Sequence, residues 1–282
     1  MSDWTPSAHE LERRGLRRQQ GLRRTVLATV VTVVVFTALL AGLLASPGWQ
    51  RVHETFFNGQ HAHDSFHEIL TGFWINVKLF VLCEPCILAV AMAIALARQA
   101  RSPWLTPLRI VAVVYTDVIR GIPTILLVVL FAFGFPALRL QGIPNSLLFW
   151  AGTALVVSYS AYVAEVFRAG IDSIHPSQLN SASALGLSRG QAMRFVVVPQ
   201  AVRRVVPPLL NDFVSLQKDT ALVSSVGLFD ALFSARDYGN YHFNYTPLVV
   251  VAGFFIVCTV PLARLCDWLQ RRWLERERAG AL

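Results

Sequence analysis

Six apolar stretches, most of them long enough to cross a bilayer, limit how this chain can fold. They occupy about residues 25–45, 73–97, 111–135, 147–167, 201–218 and 247–266, and the fifth is interrupted. A membrane core about 30 Å thick needs about 20 apolar residues in a helix. Only 15% of the chain is charged, whereas soluble domains average about 25%. The pattern predicts an all-α integral membrane protein with about six transmembrane helices.

Basic residues are concentrated in alternate connections between these stretches. They cluster at 13–24, 98–109, 168–204 and 271–278, whereas the other connections carry only Arg51, Arg139 and Arg236. An excess of Lys and Arg marks cytoplasmic loops, so we predict that both termini are cytoplasmic. The net charge of +8 then reflects orientation and contact with anionic membrane lipid, not nucleic-acid binding.

The same pattern divides the chain into five segments. These are a basic cytosolic segment at 1–24, an extra transmembrane anchor at 25–45, an external loop at 46–72, a transmembrane domain at 73–270 and a cytosolic tail at 271–282. The first span is interpreted as a retained anchor, because no small-residue cleavage site follows it. In the external loop, His61, His63, Asp64 and His67 could bind a metal, but a solvated loop is favoured.

The connection after the fourth stretch carries two well-defined helix ends. Pro176 suits the first position of a helix, and Gly186 suits the position just past its end. Ser188 and Gln191 predict a capping box that starts a second helix, and Pro199 then turns the chain back toward the membrane. A capped helix too short to span a bilayer predicts a docking site for another protein.

Charged residues inside apolar stretches are costly, so each is a candidate functional residue. Glu165 and Arg168 lie three residues apart on one helix face and can pair. Asp117 and Arg120 repeat this spacing one span earlier. These residues are predicted to form structural ion pairs, with a place on the translocation path as the alternative for Glu165. After Arg120, residues 121–123 predict either a kink beside the pore or an entry from the cytosolic interface.

Pro207 and Pro208 interrupt the fifth stretch. Because proline lacks an N–H and clashes with the preceding turn, the pair predicts a broken helix. Irregular backbone at membrane depth is tolerated where it is buried or lines a cavity, so we place this segment on the translocation path with Glu165. The other predicted path residues are Asn211, Asp212, Ser215, Lys218 and Asp219. The last two, near the outer end, suit either a gating role or a paired or snorkelling one.

The second stretch contains Cys83-Glu84-Pro85-Cys86. The two cysteines could form a redox pair or half of a metal site. Packing is favoured, because thiolates are disfavoured in mid-membrane and no second pair has zinc spacing. Glu84 could face either a subunit interface or the pore, and Pro85 predicts a kink.

The docking segment resembles the EAA motif of ABC importer permeases, which reads Glu-Ala-Ala, three residues, Gly, nine residues, Ile-x-Leu-Pro. Asn180-Ser181-Ala182, Gly186 and the run 196–199 (Val-Val-Val-Pro) fall in that register. Segments 115–123, 160–170, 187–190, 199–201, 207–208 and 216–223 are similar to the polar amino-acid branch (histidine, glutamine, arginine and opine type). The resemblance extends from about residue 70 to the C-terminus, although Asn180 replaces the usual glutamate.

The resemblance implies a type I importer in the bacterial inner membrane, with a five-helix core plus the extra N-terminal span. A coupling helix would dock an ATPase through Pro176, Gln178, Asn180, Ser181, Ala182, Leu185, Gly186 and Leu187. The chain would have no catalytic residue and no bound metal or cofactor, since it lacks a phosphate-binding glycine-rich loop. ATP and Mg²⁺ would belong to a cytosolic ATPase dimer. The other implied partners are a second permease chain, identical or different, and an extracytoplasmic amino-acid-binding protein.

Two other functions remain open at this point. A proton-coupled transporter would use Glu84, Asp117 and Glu165 as a relay, and a membrane redox protein would use Cys83, Cys86 and the external histidines. Neither function explains why the cytosolic connection carries two capped helix ends.

Overall fold

A computed structural model describes residues 7–99, 102–139 and 141–279. All regular structure in these ranges is helical, which confirms the all-α prediction. The α-helices are α1 (Ala8–Leu44), α2 (Trp49–Phe56), α3 (Gly59–Gln99), α4 (Thr106–Arg120), α5 (Thr124–Ala137), α6 (Leu147–Asp172), α7 (Pro176–Ala184), α8 (Arg189–Ala192), α9 (Val198–Asp219), α10 (Ala231–His242) and α11 (Thr246–Ala279). Arg101, residues 1–6 of the predicted cytosolic N-terminal segment and residues 280–282 of the predicted cytosolic tail lie outside the described residues.

The chain forms two compact units, residues 1–55 and 56–282. The first contains α1, which starts at Ser7, where the hydroxyl oxygen accepts the N–H of Glu10 at 3.4 Å. The second contains α3 to α11 and carries the candidate site.

Four helical segments in the described ranges are long and apolar enough to cross a membrane: Gln20–Leu44, Trp49–Gln99, Leu147–Asp172 and Thr246–Arg272. A fifth results if Pro103–Arg120 and Thr124–Ala137 are counted as one bent span. This finding supports the membrane class, while the total of about six spans stays a prediction. Helix α9, predicted as the fifth span, is absent from this set because Arg203, Arg204 and several other polar residues lie along it.

The third predicted span, 111–135, is wrong as a single helix. Helix α4 ends at Arg120, α5 starts after Pro123, and the two helices meet at 105°. Proline disfavours helical geometry in the residue before it, here Ile122, and Pro123 itself is extended with ψ 133°. The bend of the first reading is therefore present, while its place beside the pore stays a prediction.

The predicted break at Pro207 and Pro208 is also wrong, because α9 runs through both prolines. The two rings supply no N–H to the carbonyl oxygens of Arg203 and Arg204. Both arginines are exposed near the start of the helix, where water can hydrogen-bond to these carbonyls.

Residues 46–72, predicted as an external loop, are mostly helical in α2 and the first part of α3. Ser65, Ile69, Gly72 and Asn76 are buried at helical spacing, and α3 packs there against α10. The histidine-rich composition suggested a solvated loop, but one face of the segment is apolar or small and has a partner.

Helix α6 is the centre of the second unit, with α3, α4, α5 and α9 packed around it. Its buried positions are dominated by small residues such as Ala151, Gly152, Ala154, Ala161 and Ala164. Small residues let membrane helices approach closely, so α3, α4, α5 and α9 can all pack against α6.

The start of α10 is fixed to α3 by a buried polar contact. The Asn76 side-chain amide donates to Asp230 Oδ2 at 3.0 Å, and the N–H of Ala231 donates to Asn76 Oδ1 at 3.2 Å. Asp230 Oδ1 accepts the N–H of Phe233 at 2.9 Å and so caps α10. A Cβ on Gly72 would lie 2.5 Å from the Asp230 carbonyl carbon, so only glycine fits there.

Replacing Gly72 by alanine should therefore destabilise the protein by about 1–3 kcal/mol, the usual cost of overpacking a core. The added methyl group would meet backbone atoms that cannot rotate away. The thermal midpoint of the detergent-solubilised protein is the measurement. Gly253→Ala in α11 is the matched control, because nothing lies within 4 Å of its added Cβ. Equal midpoints for Gly72→Ala and wild type would contradict this packing.

Candidate functional site

The short helix α7 has the ends that its sequence predicts. Pro176 is its first residue, and the N–H of Ser177 is accepted by the side chain of His175 at 3.2 Å. At the other end Gly186 is left-handed, with φ +80°. Gly186 donates its N–H to Ser183 O at 3.0 Å, and Leu187 donates to Ala182 O at 3.1 Å. These two bonds form a Schellman motif, which confirms the predicted conformation of Gly186.

The predicted capping box after α7 is also present. The N–H of Ser188 donates to Gln191 Oε1 at 2.8 Å, and the N–H of Gln191 donates to Ser188 Oγ at 3.4 Å. Helix α8 follows and widens at Met193–Val197 into a π-helix, closed by the N–H of Val198 donating to Met193 O. The chain continues from there into α9, whose first turn contains Pro199.

One side of α7 packs on α8, on the π-helix that precedes α9 and, through Leu179, on a cluster between the ends of α6 and α9. A buried cluster of Ile174, Val197 and Ala201 contacts Leu179 of α7. Arg204 donates a hydrogen bond to Ser173 O, just before α7, and the Gln200 amide donates to Gln178 Oε1 at 3.4 Å. Helix α7 is therefore attached to both the end of α6 and the start of α9.

The other side of α7 is open to a partner. Leu185, 82% exposed, is the largest apolar side chain on it. The other predicted docking residues that are exposed are Pro176, Gln178, Asn180, Ser181 and Gly186, while Leu187 is half-buried. Ala182 is only 3% exposed, so its side chain packs against the protein and is not available for docking.

The carboxylate of Glu165 links α6 to α3 and α4, near the end of α6 that leads into α7. It pairs with Arg168 of its own helix at 2.8 Å, as its spacing predicts, and with Arg98 of α3 and, at 3.8 Å, Arg120 of α4. Arg98 also donates to Thr116 of α4 at 2.6 Å.

The predicted pairing of Asp117 with Arg120 is wrong within the described residues, since Arg120 turns toward Glu165. The contacts of Glu165 with Arg98 and Arg120 could not be found by spacing within one helix, because they join separate spans. Arg168 also pairs with Asp172 at 2.7 Å.

Helix α9 exposes a polar stripe. Arg204, Asn211 and Lys218 recur every seven residues and are all exposed, whereas Val205 and Leu216 on the other side are buried. Pro207, Pro208 and Ser215 are half-buried at its margin. An exposed polar stripe on a helix inside a membrane needs water or another protein chain beside it, so the stripe is a candidate lining of a path.

Three carboxylates lie beside this stripe around Tyr159 of α6. The Tyr159 hydroxyl donates to Asp219 Oδ2 at 2.7 Å, and Asp212 and Glu84 are close enough to act electrostatically on the same hydroxyl. Asp212 Oδ2 is buried and has no hydrogen-bond partner. In the described ranges no Lys, Arg or His forms an ion pair with these three carboxylates. Glu84, which sequence left unassigned, thus belongs to this acidic cluster.

Cys83 and His61 each have a hydrogen-bond partner in another part of the chain. Cys83 is buried and its thiol donates to Gly152 O at 3.6 Å, whereas Cys86 is exposed. His61 bonds through Nδ1 to the Tyr238 hydroxyl at 3.0 Å. Across residues 7–99, 102–139 and 141–279, no three His, Cys, Asp or Glu side chains are grouped as metal ligands would be.

Comparisons with known proteins identify the fold and the family. Residues 88–275 match the model of the family "Binding-protein-dependent transport system inner membrane component". The probable glutamine ABC transporter permease GlnM of Bacillus subtilis is 33% identical over 74% of this chain and 94% of its own length. The arginine transport system permease ArtQ of the same organism is 33% identical over 66% of this chain and 82% of its own.

Solved structures agree with these relatives. A crystal structure of an amino acid ABC transporter with histidines superposes with a TM-score of 0.69 at 29% identity, covering 76% of this chain and 98% of that one. The MetNI methionine ABC transporter in an inward-facing conformation shares the fold, with a TM-score of 0.59 at 18% identity, over 74% of this chain and 97% of that one. This chain therefore belongs to the binding-protein-dependent transport system inner membrane component family and is a permease subunit of an ABC transporter.

Proposed function

We propose that this chain and a second permease chain together import a polar amino acid. A cytosolic ATPase dimer drives the transport by binding to α7. ATP and Mg²⁺ are held by the ATPase and not by this chain. An extracytoplasmic binding protein delivers the amino acid, and both termini of the chain are in the cytoplasm. Relatives named for glutamine and arginine transport support the substrate class.

The observation that carries this proposal is the attachment of α7. A short helix with both ends capped has one packed side and one exposed side. Its packed side contacts α8, the π-helix and the cluster of Ile174, Val197 and Ala201 between the ends of α6 and α9. A force applied to the exposed side is therefore passed to two long helices at once. Glu165 and its arginines connect α6 to α3 and α4 just above this point, so these helices move together.

The transport cycle follows from this attachment. When ATP closes the ATPase dimer, α7 moves with it, and the helices rotate largely as rigid bodies around a central path. The polar stripe of α9 lines that path, with Asn211 and Lys218 facing it. Hydrolysis of ATP separates the ATPase subunits and returns the helices to their first arrangement. No covalent bond of the amino acid changes, so the chain needs no catalytic group.

Gly186→Val should prevent ATPase docking while leaving membrane insertion intact. A β-branched residue is strained in the left-handed conformation, by about 1–2 kcal/mol for ordinary residues, so the Schellman motif would open and Leu185 would shift. We expect ATPase association, measured by co-purification from membranes, to fall at least about tenfold, which corresponds to about 1.4 kcal/mol.

Two variants control this experiment. Gly186→Asn should retain association, because asparagine tolerates the left-handed region. Gly190→Ala, in the following helix α8, should have no effect, since Gly190 does not have positive φ and its Cβ would meet open space. Normal docking by Gly186→Val would contradict the role given to α7.

Cysteines placed along the polar stripe should report the path. In a background without the four native cysteines, Asn211→Cys should react with a membrane-impermeant thiol reagent at a rate that changes at least about threefold on ATP binding, since alternating access opens the path to one side at a time. Val257→Cys in α11, an exposed apolar position, is the control and should react slowly in both states. Equal rates at position 211 with and without ATP would exclude α9 from the path.

The acidic cluster supports a cationic or zwitterionic amino acid as the substrate. Glu84, Asp212 and Asp219 make no ion pair with a described residue of this chain, and the ammonium or guanidinium group of a substrate would supply the missing charge. Asp212→Asn should weaken the apparent affinity for arginine about tenfold, the equivalent of about 1.4 kcal/mol.

Uptake of glutamine should change much less in the same variant, because glutamine carries no side-chain charge. The measurement is uptake of each labelled amino acid into proteoliposomes that contain the whole transporter. Asp267→Asn in α11, an exposed carboxylate away from the cluster, is the control. An equal loss of arginine and glutamine uptake in Asp212→Asn would contradict charge recognition.

A further inference from the structure

The connection between α10 and α11 holds an aromatic side chain in an unfavourable backbone conformation. Phe243 is left-handed, with φ 50° and ψ 35°, and its side chain is 87% exposed. Tyr241, two residues earlier, is 77% exposed. A bulky residue with positive φ is a rare outlier, and such strain persists when the surrounding structure imposes it, often at functional sites.

The surrounding structure does fix this connection. The buried side chain of Asn244 accepts the N–H of Thr246 at 3.0 Å, and Thr246 Oγ1 accepts the N–H of Asn58, at the start of α3, at 3.0 Å. Gly239 allows the close approach, because a Cβ there would lie 3.0 Å from Asn244 O. Phe243 is thus held outward by a rigid turn and is not at the tip of a free loop.

The length of α3 places this turn outside the lipid. From Glu68 to Arg98 the helix rises about 45 Å at 1.5 Å per residue, which already equals the thickness of a bilayer with its headgroups. Asn58 lies about 15 Å further along the axis. Arg98 contacts Glu165 near the end of α6 from which α7 follows, so the turn bonded to Asn58 is on the opposite side of the membrane from α7.

We propose that Phe243, supported by Tyr241, is the anchor on which the extracytoplasmic amino-acid-binding protein docks. This inference rests on the proposed function. Rigid aromatic side chains in water dominate the energy of many protein interfaces, and the exposed polar residues Arg236 and Asn240 nearby supply the polar rim that such interfaces have. A belt of aromatic residues at the lipid surface would instead lie at the level of Trp74 and Lys78, whose side chains contact each other on α3.

The test uses the whole transporter with its ATPase in nanodiscs. ATP hydrolysis is measured against the concentration of each purified amino-acid-binding protein of the source cell, loaded with its amino acid. Phe243→Gly removes the ring and suits positive φ, so the turn should keep its shape. We expect the half-saturating concentration of the stimulating binding protein to rise at least about tenfold, as for an interface hot spot, with the maximal rate unchanged. Phe243→Tyr should restore wild-type behaviour.

Phe229→Ala is the matched control. Phe229 is an aromatic residue in the same α9–α11 connection and is 61% exposed, but its neighbour Asp230 contacts Gly72 and Asn76, which lie further toward the membrane than Glu68. This variant should retain the wild-type half-saturating concentration.

Two results would overturn the docking surface alone. One is stimulation of Phe243→Gly at wild-type concentrations by a binding protein that stimulates wild type. The other is a photocrosslink from p-benzoylphenylalanine at position 243 that joins phospholipid and no binding protein, which would assign Phe243 to the membrane surface. If instead no binding protein stimulates the assembled wild-type complex, the proposed function itself fails and the docking surface fails with it.

Discussion

The carboxylate of Glu165 is the contact on which the arrangement of α3, α4 and α6 depends. It lies between guanidinium groups from α3, α4 and α6, next to the end of α6 that leads into α7. One carboxylate facing three guanidinium groups links three helices by charge, in addition to their apolar contacts, for which lipid tails compete. Helix α7 follows directly after α6, so it is connected through α6 to α3 and α4 as well.

Local chemistry made part of the fold predictable. Pro176, Gly186 and the Ser188–Gln191 pair act within a few residues of themselves, and each is found in the predicted conformation. The bend at residues 121–123 follows from the same kind of local rule. The effect of the two prolines of α9 was predicted wrongly. A proline is tolerated in a helix where the carbonyls four residues earlier can reach water, and the sequence alone does not show whether they can.

The candidate site divides in the same way. Its residues could be named from sequence because charges and prolines stand out in apolar stretches. Their partners could not, because Arg98 reaches Glu165 across 67 positions of the chain and Glu84 approaches Asp212 only when α3 and α9 pack through Phe80 and Phe213, whose ring centres are 4.7 Å apart. The packing of separate helices determines which charged side chains form ion pairs. Sequence spacing predicts only the pairs within one helix.

The π-helix at Met193–Val197 determines how α9 is rotated about its own axis. A π-helical turn contains about one residue more than an α-helical turn, so each residue of α9 is rotated about 100° less around the helix axis than in an uninterrupted α-helix. That difference in rotation determines which side of α9 faces its neighbours. If this segment became a regular α-helix, the row that contains Asn211 and Lys218 would rotate about the axis of α9 by more than a quarter turn. The side that α9 presents to its neighbours is thus set by one extra residue close to α7.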